Sequence, residues 1–94
     1  MDTQMKRKMA SEKALSQLSQ KRTVAGAKQL RKAVLSGAAK EVFLAINADP
    51  AITEPIEALC QQHNVVYAWV RSMTDLGHAC GIEVGAAAAA AVNL

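Results

Sequence analysis

The chain has 94 residues, of which 51% are hydrophobic but only 3% aromatic, and its formal net charge is +3. This length suits one domain with a modest core and leaves little room for a catalytic domain beside a regulatory one. The longest uncharged apolar stretch, residues 84–92, is about half of what a bilayer-spanning helix needs, so no membrane segment is expected. Two cysteines without a Cys-x-x-Cys pair, and no apolar leader after Met1, indicate a cytoplasmic protein without disulfides.

The charge is divided unevenly along the chain. Residues 1–40 carry ten Lys or Arg against two acidic residues, a balance of +8, whereas residues 41–94 carry one Arg against six acidic residues, a balance of −5. A basic face would attract a polyanion, because phosphate contacts supply most of the sequence-independent affinity for nucleic acid. An anionic membrane surface would be attracted to the same face. The same charge balance would also arise if the lysines were ordinary solvated residues without any partner. Charge alone does not decide among these.

The first predicted segment, residues 1–10, is a frayed basic arm, because its basic and flexible residues follow neither helical nor strand periodicity. Residues 11–94 are predicted to form one domain. Its first element is a short amphipathic helix from Ser11 to Ser19. The apolar residues of that helix are Ala14, Leu15 and Leu18.

A second helix is predicted from Gly26 to Ser36, with Gly37 as its stop. Its apolar residues fall on one side of a helical wheel and its basic and amide residues on the other. The apolar side is Ala27, Leu30, Ala33 and Val34, and the polar side is Lys28, Gln29, Arg31 and Lys32.

A buried strand is predicted over residues 42–46, since a compact apolar run ends there at the turn formers Asn47, Asp49 and Pro50. A third helix is predicted next, with Thr53 as its cap and Pro55 in its first turn. Its apolar stripe is Ile56, Leu59, Cys60 and His63.

Residues 65–70 form a second predicted strand, and the spacing of Ser72 and Asp75 resembles a capping box that opens a fourth helix ending at Gly81. The alanine run 86–91 is ambiguous. Alanine is the best helix former, but the run is short, follows Gly85 and has no polar face, so a buried strand is also permitted. The alternation of helices and strands predicts an α/β sandwich with helices on both faces of a small mixed sheet.

The start of the second helix is a candidate site for a phosphate or a base edge. Helix starts present unpaired N–H groups and a partial positive charge, and Gly26 lets a nucleic-acid backbone approach closely. Lys28 and Lys32 lie four residues apart with Gln29 beside them, so two ammonium groups and an amide share one patch. The Gln29 amide both donates and accepts hydrogen bonds, which suits a base edge. The alternative is a solvated helix face without a ligand.

Two motifs in this order, residues 26–32 (GAKQLRK) and 76–87 (LGHACGIEVGAA), resemble a known family. It is the kink-turn RNA-binding family of the ribosomal proteins L-seven-Ae and L-thirty-e, and the likeness is greatest to its small bacterial ribosome-associated members. The resemblance covers residues 23–92. It implies a three-layer α/β/α sandwich in which the alanine run is a strand.

The resemblance also implies which residues contact RNA. Gly26, Ala27, Lys28, Gln29 and Lys32 match positions that contact tandem sheared G·A pairs, where the family commonly has Gly-x-Asn-Glu-x-x-Lys and this chain has Gly26-x-Lys28-Gln29-x-x-Lys32. The loop Ile82-Glu83-Val84 would cover a nucleotide flipped out of the kink, with Glu83 making a backbone contact or excluding wrong partners. Asn47 is a secondary candidate, because the turn after the first long strand would lie near RNA. Asp49 is expected to serve the turn alone.

One departure concerns Met73, which stands where many relatives have a lysine after the capping serine. One phosphate contact would then be missing, and Lys21 and Arg22, ahead of the glycine motif, could compensate. Ile82 and Val84 also allow a purely structural interpretation, in which they fill the edge of the sheet and do not contact RNA.

The function expected from these features is binding of kink-turn or related bent RNA by a cytoplasmic monomer, associated with the ribosome. A protein-interaction module that docks through residues 82–84 is the alternative, and a small-ligand binder at the carboxyl ends of the strands is a third. Zinc or Cys-His chemistry is disfavoured, since His78 and Cys80 would point to different sides of a helix and Cys60 and His63 fall on an apolar stripe. No catalytic residue, metal or cofactor is expected.

Overall fold

The computed structural model describes residues 7–92, which contain four helices and four strands. The helices are α1 (Glu12–Leu18), α2 (Ala27–Leu35), α3 (Pro50–Gln62) and α4 (Met73–Cys80). The strands are β1 (Thr23–Val24), β2 (Ala39–Ala45), β3 (Val66–Val70) and β4 (Ala88–Val92).

The strands form one mixed sheet in the order β1-β4-β2-β3. β2 and β3 are parallel, with Phe43 opposite Ala68, and β4 runs antiparallel to both β1 and β2. Alternate residues of each strand face opposite sides, and each side is covered by helices. Val42, Leu44 and Trp69 pack with Leu30, Ile56 and Cys60 under α2 and α3. Phe43, Ala45 and Val70 pack with Leu18 and Leu76 under α1 and α4. The predicted three-layer α/β/α sandwich is confirmed.

Residues 88–91 of the alanine run lie in β4, a strand paired on both sides, and the prediction of a buried strand is confirmed for them. Ala88 and Ala90 face α2 and α3, whereas Ala89 and Ala91 face α1 and α4. All four are buried. The helical propensity of alanine is therefore overridden by strand pairing and burial on both faces.

The third helix begins earlier than predicted. The Asp49 side chain accepts a hydrogen bond from the Ala51 N–H at 2.9 Å, and Pro50 is the first residue of α3. Thr53, predicted as the cap, is buried inside the helix. Pro55 lies inside as well, at an exposed position where water can reach the carbonyl group left without a partner. His63 is exposed, so it does not belong to the apolar stripe.

The basic arm is only partly within the described residues. Residues 1–6 lie outside them, whereas Arg7 to Ala10 follow the outer edge of β3 instead of fraying. The backbone N–H of Trp69 donates to the Lys8 carbonyl oxygen, and the Trp69 carbonyl oxygen accepts from the Ala10 N–H, both at 2.8 Å. The Arg7 guanidinium lies 4.0 Å from the centre of the Trp69 ring. An edge strand has unpaired backbone groups, and this short segment pairs with two of those of β3. Its own sequence has no strand periodicity that would predict the pairing.

The strand directions bring several loops to one end of the sheet. Because β4 is antiparallel to its two neighbours, β1, β2 and β3 all run the same way. The carboxyl ends of these three strands therefore lie at the same end as the beginning of β4. We call this the carboxyl end of the sheet. It contains residues 25–29, 46–49, 71–73 and 82–87.

Candidate nucleic-acid interface

The start of α2 lies open at the carboxyl end of the sheet. Gly26 occupies the N-cap position with φ of 153°, a conformation that side-chain-bearing residues rarely adopt. It offers no side-chain cap to the helix, whereas α1, α3 and α4 are capped by Ser11, Asp49 and Ser72. Residues 26–29 are all exposed. The first N–H groups of α2 are therefore available to an acceptor on another molecule.

The polar side of α2 is exposed, as the helical wheel predicts. Lys28, Gln29, Arg31 and Lys32 all face solvent, while Leu30, Ala33 and Val34 are buried. Gln29 and Lys32 also line a shallow depression of about 380 Å³, and Arg22 lines it as well. Its apolar lining includes Val24 and Val92. The basic surface therefore extends from α2 to Arg22.

The loop of residues 82–84 is held against α4 through its backbone. Gly81 ends α4 in the left-handed conformation, and the Ile82 N–H donates to the Gly77 oxygen at 3.0 Å. A Cβ atom built on Gly77 would collide with the Val84 carbonyl oxygen, so only glycine allows this approach. The Val84 side chain is 71% exposed and that of Ile82 37%. Val84 therefore does not fill the edge of the sheet.

The two candidate segments meet in one hollow. Ala25 and Gly26 line it on the α2 side, and Ile82, Val84 and Gly85 line it on the loop side. Its volume is about 180 Å³, and its remaining lining is Ala86, Ala87 and Ala88. A basic, uncapped helix start thus adjoins an exposed aliphatic loop, although the two are far apart in the sequence.

Asn47 lies at the same end of the sheet, and its side-chain oxygen is already engaged. Met73, the first residue of α4, donates its N–H to Asn47 Oδ1 at 2.8 Å. Asp49 caps α3, whereas the sequence predicted that it serves the turn alone. Arg71, exposed just after β3, is a further basic residue at this end and is not among the site residues predicted from the sequence. The feature of the sequence that points to Arg71 is its position directly after a predicted strand.

Neither cysteine lies in a reactive setting. Burial, and to a lesser degree the Glu57 carboxylate, raises the pKa of the Cys60 thiol to about 11. Burial also raises the pKa of Cys80. Across residues 7–92, no cluster of three or more His, Cys, Asp or Glu side chains is arranged to hold a metal ion. The same residues include no helix with the length and apolar character needed to cross a membrane.

Residues 9–94 match the model of the ribosomal protein L7Ae/L30e/S12e/Gadd45 family. The chain belongs to this family. The match takes in every described helix and strand, including both candidate segments. The resemblance proposed from residues 26–32 and 76–87 is therefore confirmed at the level of the family.

Bacterial members of the L7Ae/L30e/S12e/Gadd45 family are similar to this chain. A protein of Bacillus pumilus named as an RNA-binding protein is 48% identical over 67 residues, which are 71% of this chain and 82% of that protein. An RNA-binding protein of a Geobacillus species is 43% identical over 72 residues, covering 77% of this chain and 88% of the relative.

The fold also matches a solved structure, that of the Giardia lamblia 15.5kD RNA binding protein. The TM-score is 0.80 at 27% sequence identity, and the match covers 92% of this chain and 79% of the other. The α/β/α arrangement seen here is thus that of a solved RNA-binding protein.

Proposed function

We propose that this protein binds RNA that contains a sharp bend of the kink-turn type, by shape and base-edge contacts and without catalysis. The observation that carries the proposal is the shared hollow, in which the uncapped start of α2 meets the exposed loop of residues 82–84. Relatives and a structural neighbour named as RNA-binding proteins support it.

The start of α2 would hold the stem that contains the tandem G·A pairs. Gly26 has open space where a Cβ would stand, so a nucleic-acid backbone or base can approach the first N–H groups of the helix. Lys28 and Lys32 would contact phosphates, and Gln29 would donate to and accept from a base edge. Ala27 would add a small surface that keeps the helix start accessible. Arg22, beside Gln29 and Lys32, would extend the phosphate contacts.

The loop of residues 82–84 would cover the flipped-out nucleotide. Unstacked bases are usually gripped by stacking or by apolar contact, and Ile82 and Val84 offer exposed aliphatic surface for this. The backbone of the loop is fixed on α4, so little ordering free energy is spent when RNA binds. Glu83 is exposed between them and would exclude partners that bring a phosphate to this point.

Both segments come from one chain, so a monomer should be sufficient for binding. The family includes ribosomal proteins, which supports a ribosome-associated RNA in the cytoplasm as the cellular target.

A gel-shift comparison of a kink-turn RNA with a straight duplex of the same base composition tests the proposal. We expect the kink-turn to bind at least about tenfold more tightly at matched salt, since base-edge and shape contacts add to the phosphate contacts common to both RNAs. Equal affinity for the two RNAs, or no binding to either, would contradict it.

Docking of a protein partner through residues 82–84 is the second candidate, because the exposed aliphatic pair is an apolar surface as well. A Val84→Ser variant with unchanged RNA affinity would favour this candidate over RNA contact by the loop.

A further inference from the structure

Asn47 connects the turn after β2 to the start of α4. Its Oδ1 accepts the Met73 N–H at 2.8 Å, across 26 positions of sequence. A backbone N–H can only donate, so the side-chain atom facing it must be the oxygen. Ser72 Oγ accepts from the Asp75 N–H at 3.1 Å. The start of α4 therefore has one cap of its own and a second acceptor supplied by a different loop.

Met73 also contacts the segment that follows α4. Its carbonyl oxygen accepts the Ala86 N–H at 3.0 Å, and a Cβ atom built on Gly85 would lie 3.1 Å from the Met73 Cβ. At the other end of the loop, the Ile82 N–H donates to the Gly77 oxygen at 3.0 Å. The loop is thus attached to α4 on both sides, and one attachment is the residue that Asn47 holds.

We propose that Asn47 is a positioning residue, which fixes the first turn of α4 and through Met73 sets the place of the 82–84 loop. The proposal rests on the proposed function for the consequence that it draws for RNA. The Asn47 oxygen is committed to α4, and this bond fixes the side-chain plane. Asn47 therefore shapes the surface that meets the flipped-out nucleotide without being the group that reads it.

Two substitutions separate positioning from direct reading. Asn47→Ala removes the acceptor, whereas Asn47→Asp keeps an acceptor at the same place and puts a negative charge at a helix start, where it is favourable. A direct reader would lose its amide donor in both variants. If Asn47 is a positioning residue, Asn47→Ala should loosen the start of α4 and the 82–84 loop, and Asn47→Asp should keep both in place.

The first measurement is amide hydrogen exchange by NMR on the free 94-residue chain. We expect Asn47→Ala to speed exchange of the Met73 and Ala86 N–H groups about five- to tenfold relative to the Leu44 N–H in the core, which reports global opening. Asn47→Asp should keep both near wild type. Unchanged exchange at Ala86 in the alanine variant would overturn the proposal.

The second measurement is the ratio of affinities for a kink-turn RNA and for the same RNA with the flipped-out nucleotide made abasic. A uniform electrostatic penalty from the added carboxylate cancels in this ratio. We expect Asn47→Ala to lower the ratio about threefold or more and Asn47→Asp to restore it. A ratio lowered equally in both variants would identify Asn47 as a direct reader and overturn positioning. If wild type binds neither RNA, the proposed function fails, and hydrogen exchange alone decides the role of Asn47.

Discussion

Removing both lysines on the exposed side of α2 should weaken RNA binding in a salt-dependent way. Each phosphate contact adds about 0.9 to the slope of log affinity against log salt for a duplex. Two lost contacts should therefore flatten the slope by about 1.8 and lower the affinity about 60-fold near 0.1 M salt, with the difference vanishing towards about 1 M. Lys28 and Lys32 are exposed and alanine favours helices, so Lys28→Ala/Lys32→Ala should leave the fold intact.

The assay is a titration of fluorescent kink-turn RNA at four or more salt concentrations, with circular dichroism as a check of folding. Lys40→Ala is a matched control, because Lys40 is exposed near the beginning of β2, at the other end of the sheet. Its slope should change little. A double variant that keeps the slope of wild type would show that α2 does not contact phosphates and would refute the assignment of this helix.

Val84→Ser should lower the affinity for kink-turn RNA about three- to tenfold without changing the melting temperature. Val66→Ser, a control at another exposed valine, should change neither the affinity nor the melting temperature. RNA titration measures the affinity and calorimetry the melting temperature. Gly26→Val should cost about 1–2 kcal/mol of stability, owing to the φ of 153°, and should reduce RNA affinity by more than this, because the side chain enters open space at the helix start. The raised pKa of Cys60 means that its neutral thiol favours the fold below about pH 9, and that this contribution is lost as the pH rises from about 9 to about 11. Cys60 should therefore contribute a loss of roughly 2 kcal/mol to urea unfolding over this range, in addition to the losses from Cys80 and Tyr67, whose pKa values burial also raises. The loss should be smaller by about that amount in Cys60→Ala, and an equal loss in both proteins would contradict the assignment to Cys60.

Most of the fold follows from local patterns. The apolar spacing in α1 and α2, the compact runs in β2 and β3, and the capping signal at Ser72 each predict an element that the structure contains. Each pattern lies within one element, so no knowledge of the tertiary structure is needed. The start of α3 was missed because Thr53 and Asp49 are both good caps, and Asp49 followed by Pro50 forms the better start.

The features that need contacts distant in sequence were not predictable from periodicity. Pairing of residues 8–10 with β3 depends on the edge position of β3, which no local pattern reveals. The alanine strand follows from the family resemblance and not from propensity, which favours a helix. The hollow shared by Gly26 and Val84 depends on the sheet order, and the bond from Asn47 to Met73 depends on two loops meeting at one end.

The most direct test of the account is an NMR titration of the 94-residue chain with kink-turn RNA, following every backbone amide. We predict that the largest shifts fall on residues 26–32, which begin at the start of α2, and on residues 82–86, which adjoin that start at the carboxyl end of the sheet, with small shifts at Lys40 and Val66 at the other end. Shifts concentrated at that other end, or on only one of the two segments, would contradict the claim that α2 and the loop bind a single bent RNA together.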